Sequence, residues 1–259
     1  MSDLAEPPVR DAADAHTAQP SLAGRRALVT GGTTGIGRAI AILLAAEGAK
    51  VFVCGRTPEH LDDALARIHE VGQGDGINVD LARQEDVERF VTEGERFLGG
   101  IDIAVINAGI AADGLDDTAA QDIRYTVDTN LTSHMTVAKA AVDRMGAGSD
   151  VVFIGSMSAV SRGGESTVYV ATKTGVEAFA EALRKELAEK DIKVGNIEPG
   201  LTGSDMQYPD IPAEKQREMI QKGDMLRAED IAAATHFMLT QPRRTVVSLM
   251  RVEPRLQTR

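Results

Sequence analysis

The chain has 259 residues, of which 43% are hydrophobic and only 3% aromatic, with no tryptophan. This is enough apolar material for one large α/β domain with a core of Ala, Val, Ile and Leu, a make-up that suits helices on a parallel sheet. A formal net charge of -11 argues against nucleic acid or an anionic membrane as main partner, and the one cysteine, Cys54, excludes a disulfide framework or a thiolate metal cluster.

The first segment, residues 1–23, has neither a basic start nor an apolar core. It reads as a flexible N-terminal tail and not as a signal peptide, with one domain expected over 24–259. "RALVT" (26–30) is strand-like and runs into "GGTTGIG" (31–37). A helical pattern over 38–48 ends on a glycine, a plausible C-cap, and "KVFVC" (50–54) is the next strand. Thr57-Pro58 supplies an N-cap and a first-turn proline for a helix over 57–72. A strand at 76–80 and a helix at 84–98 follow, then the buried strand "IDIAVINAG" (101–109). Residues 121–145 read as one helix, "DVVFIGS" (150–156) as a strand, 168–190 as a helix and "IKVGNIEPG" (192–200) as a strand stopped by Pro-Gly. Polar residues 203–225 read as an irregular insert, 228–241 as a helix and 244–250 as the last strand. Strand and helix thus alternate about six times. The expected architecture is a single-domain, doubly wound Rossmann fold with a parallel sheet of about seven strands and helices on both faces. No stretch has 18 uninterrupted apolar residues, so no membrane span is expected and the cytoplasm is the default location.

Gly31, Gly35 and Gly37, with Thr33, Thr34 and Ile36 between them, lie between the first strand and the first helix. A turn so placed lets backbone approach a pyrophosphate and turns free helix N–H groups toward it; a tight turn needing positive φ is the plainer alternative. Sites for NAD usually carry an acid at the end of the second strand. Here Gly55 stands at that place and Arg56 follows, which favours NADP(H), the 2′-phosphate being held by the guanidinium; NAD(H) stays open. Asp80, followed by Leu81, has the position to accept from an adenine amino group, or to serve as a turn or N-cap residue. The five histidines (His16, His60, His69, His134, His236) show no ligand spacing, so no catalytic metal is expected. Cys54 reads as a small core residue.

Tyr169 and Lys173, in "YVATK", are four apart and share a helix face. With "TGGTTGIG", "INAG" (106–109), "DTNLT" (128–132), "IGSMSA" (154–159) and "EPGLTGSDM" (198–206) in that order, and Ser156 thirteen residues before Tyr169, the sequence resembles a classical short-chain dehydrogenase/reductase over nearly all of 24–250. The resemblance implies reversible hydride transfer between a nicotinamide and a small or medium carbonyl compound or secondary alcohol. Tyr169 would be the proton donor and acceptor, Ser156 would hold the substrate oxygen, and Asn130 would interrupt its helix and position a water linking Lys173 to solvent. A phenol has a pKa near 10, and a neighbouring ammonium and a cationic nicotinamide are expected to lower it. The resemblance also implies that Asn107, Ala108 and Gly109 form a turn under the adenosine ribose and that Pro199 and Gly200 close the sixth strand. Ser204, or the backbone of Thr202, would bond the nicotinamide carboxamide.

The insert would form a lid, with Met206, Tyr208, Ile211 and Met219 facing the substrate; Met157, Ser158 and Arg162 would form the other wall. The C-terminal "QPRRTVVSLMRVEPRLQ" (241–257) resembles a branch of NADP-dependent 3-hydroxy acid and clavulanate-type dehydrogenases. A homodimer or homotetramer through the long helices is implied as well. Two readings compete with an NADP(H)-dependent enzyme of this kind: a catalytically silent cofactor-sensing protein, and a structural oligomer with a vestigial site.

Overall fold

Alternation along the first strand divides the core. Leu28 points into one apolar layer, while Ala27 and Val29 point into the other. The structure, a computed structural model, describes residues 19–208 and 210–256. Its strands are β1 (Arg26–Val29), β2 (Lys50–Gly55), β3 (Gln73–Asn78), β4 (Ile101–Ile106), β5 (Met145–Ile154), β6 (Lys193–Pro199) and β7 (Leu249–Val252). They form one parallel sheet in the order β3-β2-β1-β4-β5-β6-β7. Helices α1 (Gly35–Ala46), α2 (Pro58–Val71) and α9 (Ala228–Leu239) bury Ile40, Leu44, Leu61, Ile68 and Ile231 on the Val29 side. Helices α3 (Gln84–Leu98), α5 (Ser133–Val142) and α7 (Thr167–Leu187) cover the Leu28 side with Phe90, Val91, Val137, Val176 and Leu183. The expected doubly wound fold is therefore what the chain adopts. Strand order reverses between β1 and β4, which opens a crevice above their carboxyl ends, the usual ligand position in such sheets.

At the opposite end of the sheet, Asp150 is buried among three cations: Arg25 at 2.8 Å, Arg243 at 3.0 Å and Lys193 at 3.4 Å. This cluster ties the starts of β5 and β6 to the segment before β7. Nearer the site, the buried Glu198 of β6 pairs with Arg251 of β7 at 2.9 Å, and burial pushes its carboxyl up.

Four boundaries differ from the sequence reading. Leu22 is already in the core, so the fold begins before residue 24; residues 1–18 of the expected tail lie outside the described residues. The single helix expected over 121–145 is instead α4 (Ala120–Val127), a wider π-type turn over Asp128–Thr132, and α5, with β5 beginning at Met145. The last strand starts at Leu249, because the chain turns at 242–245, where Thr245 N–H bonds Pro242 O, and joins β6 only from Asn196 onward. The insert contains a helix, α8 (Ala213–Lys222), which buries only Gln216 and so lacks the apolar stripe that reveals helices in sequence. The short α6 (Ser158–Ser161) follows β5. Among the described residues, no helix is long and apolar enough to cross a membrane.

Candidate active site

The site begins where β1 stops. The buried Thr30 hydroxyl accepts from the backbone N–H groups of Asn107 (2.8 Å) and Ala108 (3.0 Å). In return, the Asn107 amide donates to Thr30 O (3.0 Å) and Gly31 O (3.2 Å). The side chain of Asn107 thus staples the end of β4 to the first turn instead of reaching into the crevice. The glycines answer to this fold-back. Gly31 has φ of +61°, and a Cβ at Gly37 would stand 2.1 Å from Gly31 O and 2.4 Å from Asn107 Nδ2. Helix α1 then starts with no side-chain cap from Thr34 and no acid in its first turn. Its first N–H groups face the crevice unsatisfied by side chains, which suits an anionic diphosphate. The backbone cradle and donor set fit a dinucleotide.

Beyond the glycine turn, Gly55 ends β2. A Cβ there would lie 2.2 Å from Thr33 Oγ1, so packing as well as charge keeps an acid away from this position. Arg56 is exposed, and its Nη1 donates to the Tyr125 hydroxyl at 2.8 Å. That hydroxyl donates to both oxygens of Asp80, at 3.2 and 3.1 Å. Asp80 also accepts the Ala82 N–H at 3.1 Å, so it serves its own turn while facing the crevice. Tyr125, on α4, escapes sequence reading because it falls in no motif and its helix is polar around it.

The chemical end lies over β5. Lys173 is 3% exposed, and its ammonium donates to Ile154 O at 2.9 Å. Its Nζ lies 5.7 Å from the centre of the Tyr169 ring. Ser156 accepts the Ser158 N–H at 3.1 Å and lines the same cleft as Tyr169. Asn130, fully buried in the π-type turn, accepts the Ile110 N–H and donates to Ile110 O, both at 2.8 Å. The turn is wide because the Ser133 N–H reaches back five residues to Asp128 O. Asn130 Oδ1 and Lys173 Nζ face the same side of Gly109, at 3.4 and 3.6 Å from where its Cβ would be. Asn130 therefore does interrupt its helix, and its side chain is engaged with the 107–110 turn.

Burial pushes the Tyr169 phenol up, and Ser156 opposes that only in part. Burial also acts on the lysine, bringing Lys173 down to about 8. His134, buried in α5, is pushed well below the ordinary imidazole range, first by burial and then by the Lys173 charge. The Cys54 thiol is pushed up to about 12 by burial.

These groups surround one cleft of about 930 Å³. It is lined by Gly31, Thr33, Thr34, Gly35, Ile36, Arg56, Asp80, Leu81, Asn107, Ala108 and Gly109 at one end. Ser156, Met157, Ser158, Tyr169, Lys173, Pro199, Gly200, Thr202, Ser204 and Met206 line the other. Gly37 and Asn130 lie behind the wall and support it. Ser204 abuts the glycine turn, 3.1 Å from where a Gly35 Cβ would be, and its backbone is clasped by Gln216 of α8, at 3.0 Å to N and 3.3 Å to O. Gln216 was not read from sequence; a polar residue on a polar helix carries no signal.

Tyr208, Ile211, Met219 and Arg162 do not line the cleft. Tyr208 is half exposed, and Arg162, in a left-handed turn, donates to Ala159 O at 3.2 Å. Four carboxylates, Asp113, Glu165, Asp205 and Asp210, also line the cleft.

Known proteins resemble this chain in sequence and, where solved structures superpose on it, in fold. A solved short-chain dehydrogenase from Burkholderia cenocepacia J2315, in complex with NADP, superposes with a TM-score of 0.82 at 30% identity, covering 91% of this chain and 98% of that one. The human 3-oxoacyl-[acyl-carrier-protein] reductase is 35% identical over 219 residues, 83% of this chain and 90% of its own. An uncharacterized oxidoreductase of Staphylococcus aureus is 30% identical over 239 residues, 90% and 98% of the two chains. The family model for short chain dehydrogenases matches residues 25–215, a span that takes in the glycine cradle, Asn130, Ser156, Tyr169 and Lys173. With that match over most of its length, the chain belongs to the short-chain dehydrogenase family of oxidoreductases.

Proposed function

We propose that the protein is an NADP(H)-dependent oxidoreductase that interconverts a small or medium carbonyl compound and its secondary alcohol, with Tyr169 as the acid/base. The observation that carries this reading is that Ser156, Tyr169 and the buried Lys173 line one cleft with a glycine cradle suited to a dinucleotide. Arg56, with no acid at position 55, supports NADP(H) over NAD(H).

The glycine cradle and Arg56 would hold NADPH, which when bound would supply a hydride to the carbonyl carbon. The Ser156 hydroxyl orients the carbonyl oxygen and offsets charge growing on it. The Tyr169 Oη–H bond breaks and its proton goes to that oxygen, leaving a phenolate. A phenol raised by burial is fully protonated at neutral pH, which suits the reductive direction. Lys173, brought near 8, holds a proton loosely enough to return one to the phenolate. Asn130 fixes the 107–110 turn beside that ammonium, and Thr202 and Ser204, which line the cleft, would hold the nicotinamide amide. Met157, Ser158 and Met206 form the substrate wall, and the segment 203–225 acts as a lid anchored by Gln216.

The four carboxylates that line the cleft favour a neutral or cationic carbonyl compound over the carboxylate substrates of the 3-hydroxy acid branch. The protein is read as a cytoplasmic homodimer or homotetramer, which light scattering after size exclusion would test. The test of function is fluorescence titration with NADPH and NADH, followed by a panel of ketones, aldehydes and hydroxy acids. Tighter binding of NADH would contradict the Arg56 argument. Tight cofactor binding with no turnover of any panel member would favour the cofactor-sensing reading.

A further inference from the structure

The Arg56–Tyr125–Asp80 chain at the adenosine end has an unusual order. A cation and an anion close enough to share one phenol are not paired with each other; the hydroxyl stands between them. We propose that Tyr125 is a positioning residue that sets the preference between phosphorylated and unphosphorylated dinucleotides by keeping Arg56 and Asp80 apart. The proposal rests on the NADP(H) reading above and extends it to a residue that does not line the cleft.

The argument is one of donors and acceptors. A guanidinium facing a carboxylate forms a short, frequently bidentate ion pair. Such a pair would engage the N–H groups and the charge that a 2′-phosphate needs, and the phosphate would have to compete with Asp80 for them. A phenol prevents this because it is neutral and both accepts and donates. It accepts one N–H of Arg56, leaving the other guanidinium donors free, and gives its only proton to Asp80. Asp80 is held from the other side by the Ala82 N–H, so it does not need Arg56 to be satisfied.

The anchor is rigid. Tyr125 is half-buried on α4 beside the buried Thr126, and the helix runs into the π-type turn that holds Asn130. An aromatic ring with two rotatable bonds fixes an exposed arginine at small entropic cost.

The test is the ratio of dissociation constants for NADH and NADPH, read by fluorescence titration of the full chain. Arg56→Ala should lower the ratio and reports on the NADP(H) reading itself. Tyr125→Phe should lower it about tenfold, the scale of one charge-assisted hydrogen bond, by weakening NADPH and leaving NADH nearly unchanged. Tyr125→Phe with Asp80→Asn removes the competing carboxylate and should return the ratio to within about threefold of the parent. A Tyr125→Phe ratio equal to the parent's, with Arg56→Ala still lowering it, would overturn the proposal alone. Equal weakening of both cofactors by Tyr125→Phe would also overturn it, since general damage does not discriminate the phosphate. An unchanged ratio in Arg56→Ala would overturn the NADP(H) reading and this proposal together.

Discussion

Replacing Asn130 with alanine probes the joint between the π-type turn and the catalytic floor. The amide makes two bonds of 2.8 Å to the N–H and C=O of Ile110 and is fully buried, so water cannot replace it without rearrangement. Two orphaned backbone groups at about 1–3 kcal/mol each give about 2–6 kcal/mol of destabilisation. For a chain of this size, each kcal/mol shifts Tm by about 2–4 °C, so Asn130→Ala should unfold about 5–20 °C below the parent. Asn130→Asp can still accept from the Ile110 N–H but sets an oxygen against Ile110 O, and should fall at least half as far. Thr132→Ala, which removes only the long 3.4 Å contact to Asp128, controls for disturbance of the turn itself and should stay within about 2 °C. Differential scanning calorimetry and NADPH titration together make the assay, since a loosened 107–110 turn should also weaken cofactor binding about tenfold. An Asn130→Ala protein that melted with the parent and bound NADPH normally would refute the clasp.

Four further perturbations separate charge, packing and cofactor selection. Lys173 is depressed from 10.5 to about 8 by burial, so its contribution to stability is present above pH 10.5 and is lost as pH falls through 8. The stability of the parent relative to Lys173→Met should therefore rise by about 3 kcal/mol between pH 8 and 10.5; urea unfolding across that range would reveal it. Gly55→Asp should weaken both NADPH and NADH because its Cβ meets Thr33 Oγ1, whereas Gly55→Asp with Thr33→Gly should recover NADH and not NADPH, as read by titration. Asp150→Ala leaves Arg25, Lys193 and Arg243 facing one another around a buried position and should cost about 3–5 kcal/mol in chemical unfolding. Asp63→Ala, which breaks exposed pairs with Arg38 and Arg67, should leave the midpoint unchanged.

The layers of the fold were legible because apolar strands and amphipathic helices keep different periods, and the parallel sheet follows from connections long enough to cross over. The glycine cradle, Ser156, Tyr169 and Lys173 were legible because their chemistry fixes residue type and spacing together. What could not be read has physical causes. The helix break at 128–132 is legible through Asn130, but its π form follows from one backbone bond to Asp128 O, which no side chain announces. Helix α8 buries only Gln216, so hydrophobic periodicity is absent. Tyr125 gains its place through two long-range hydrogen bonds, to residues 69 and 45 positions away. The rise of the Tyr169 phenol follows from its burial, which spacing alone does not give.

The central claim is that Tyr169 moves the proton in carbonyl reduction. Its most direct measurement is single-turnover reduction by Tyr169→Phe with a carbonyl compound that the parent reduces, alongside NADPH titration of the same variant. The account predicts NADPH affinity within about threefold of the parent and a rate lower by about 10²–10⁴-fold, the usual share of a positioned general acid. Near-normal reduction by Tyr169→Phe with intact cofactor binding would contradict it.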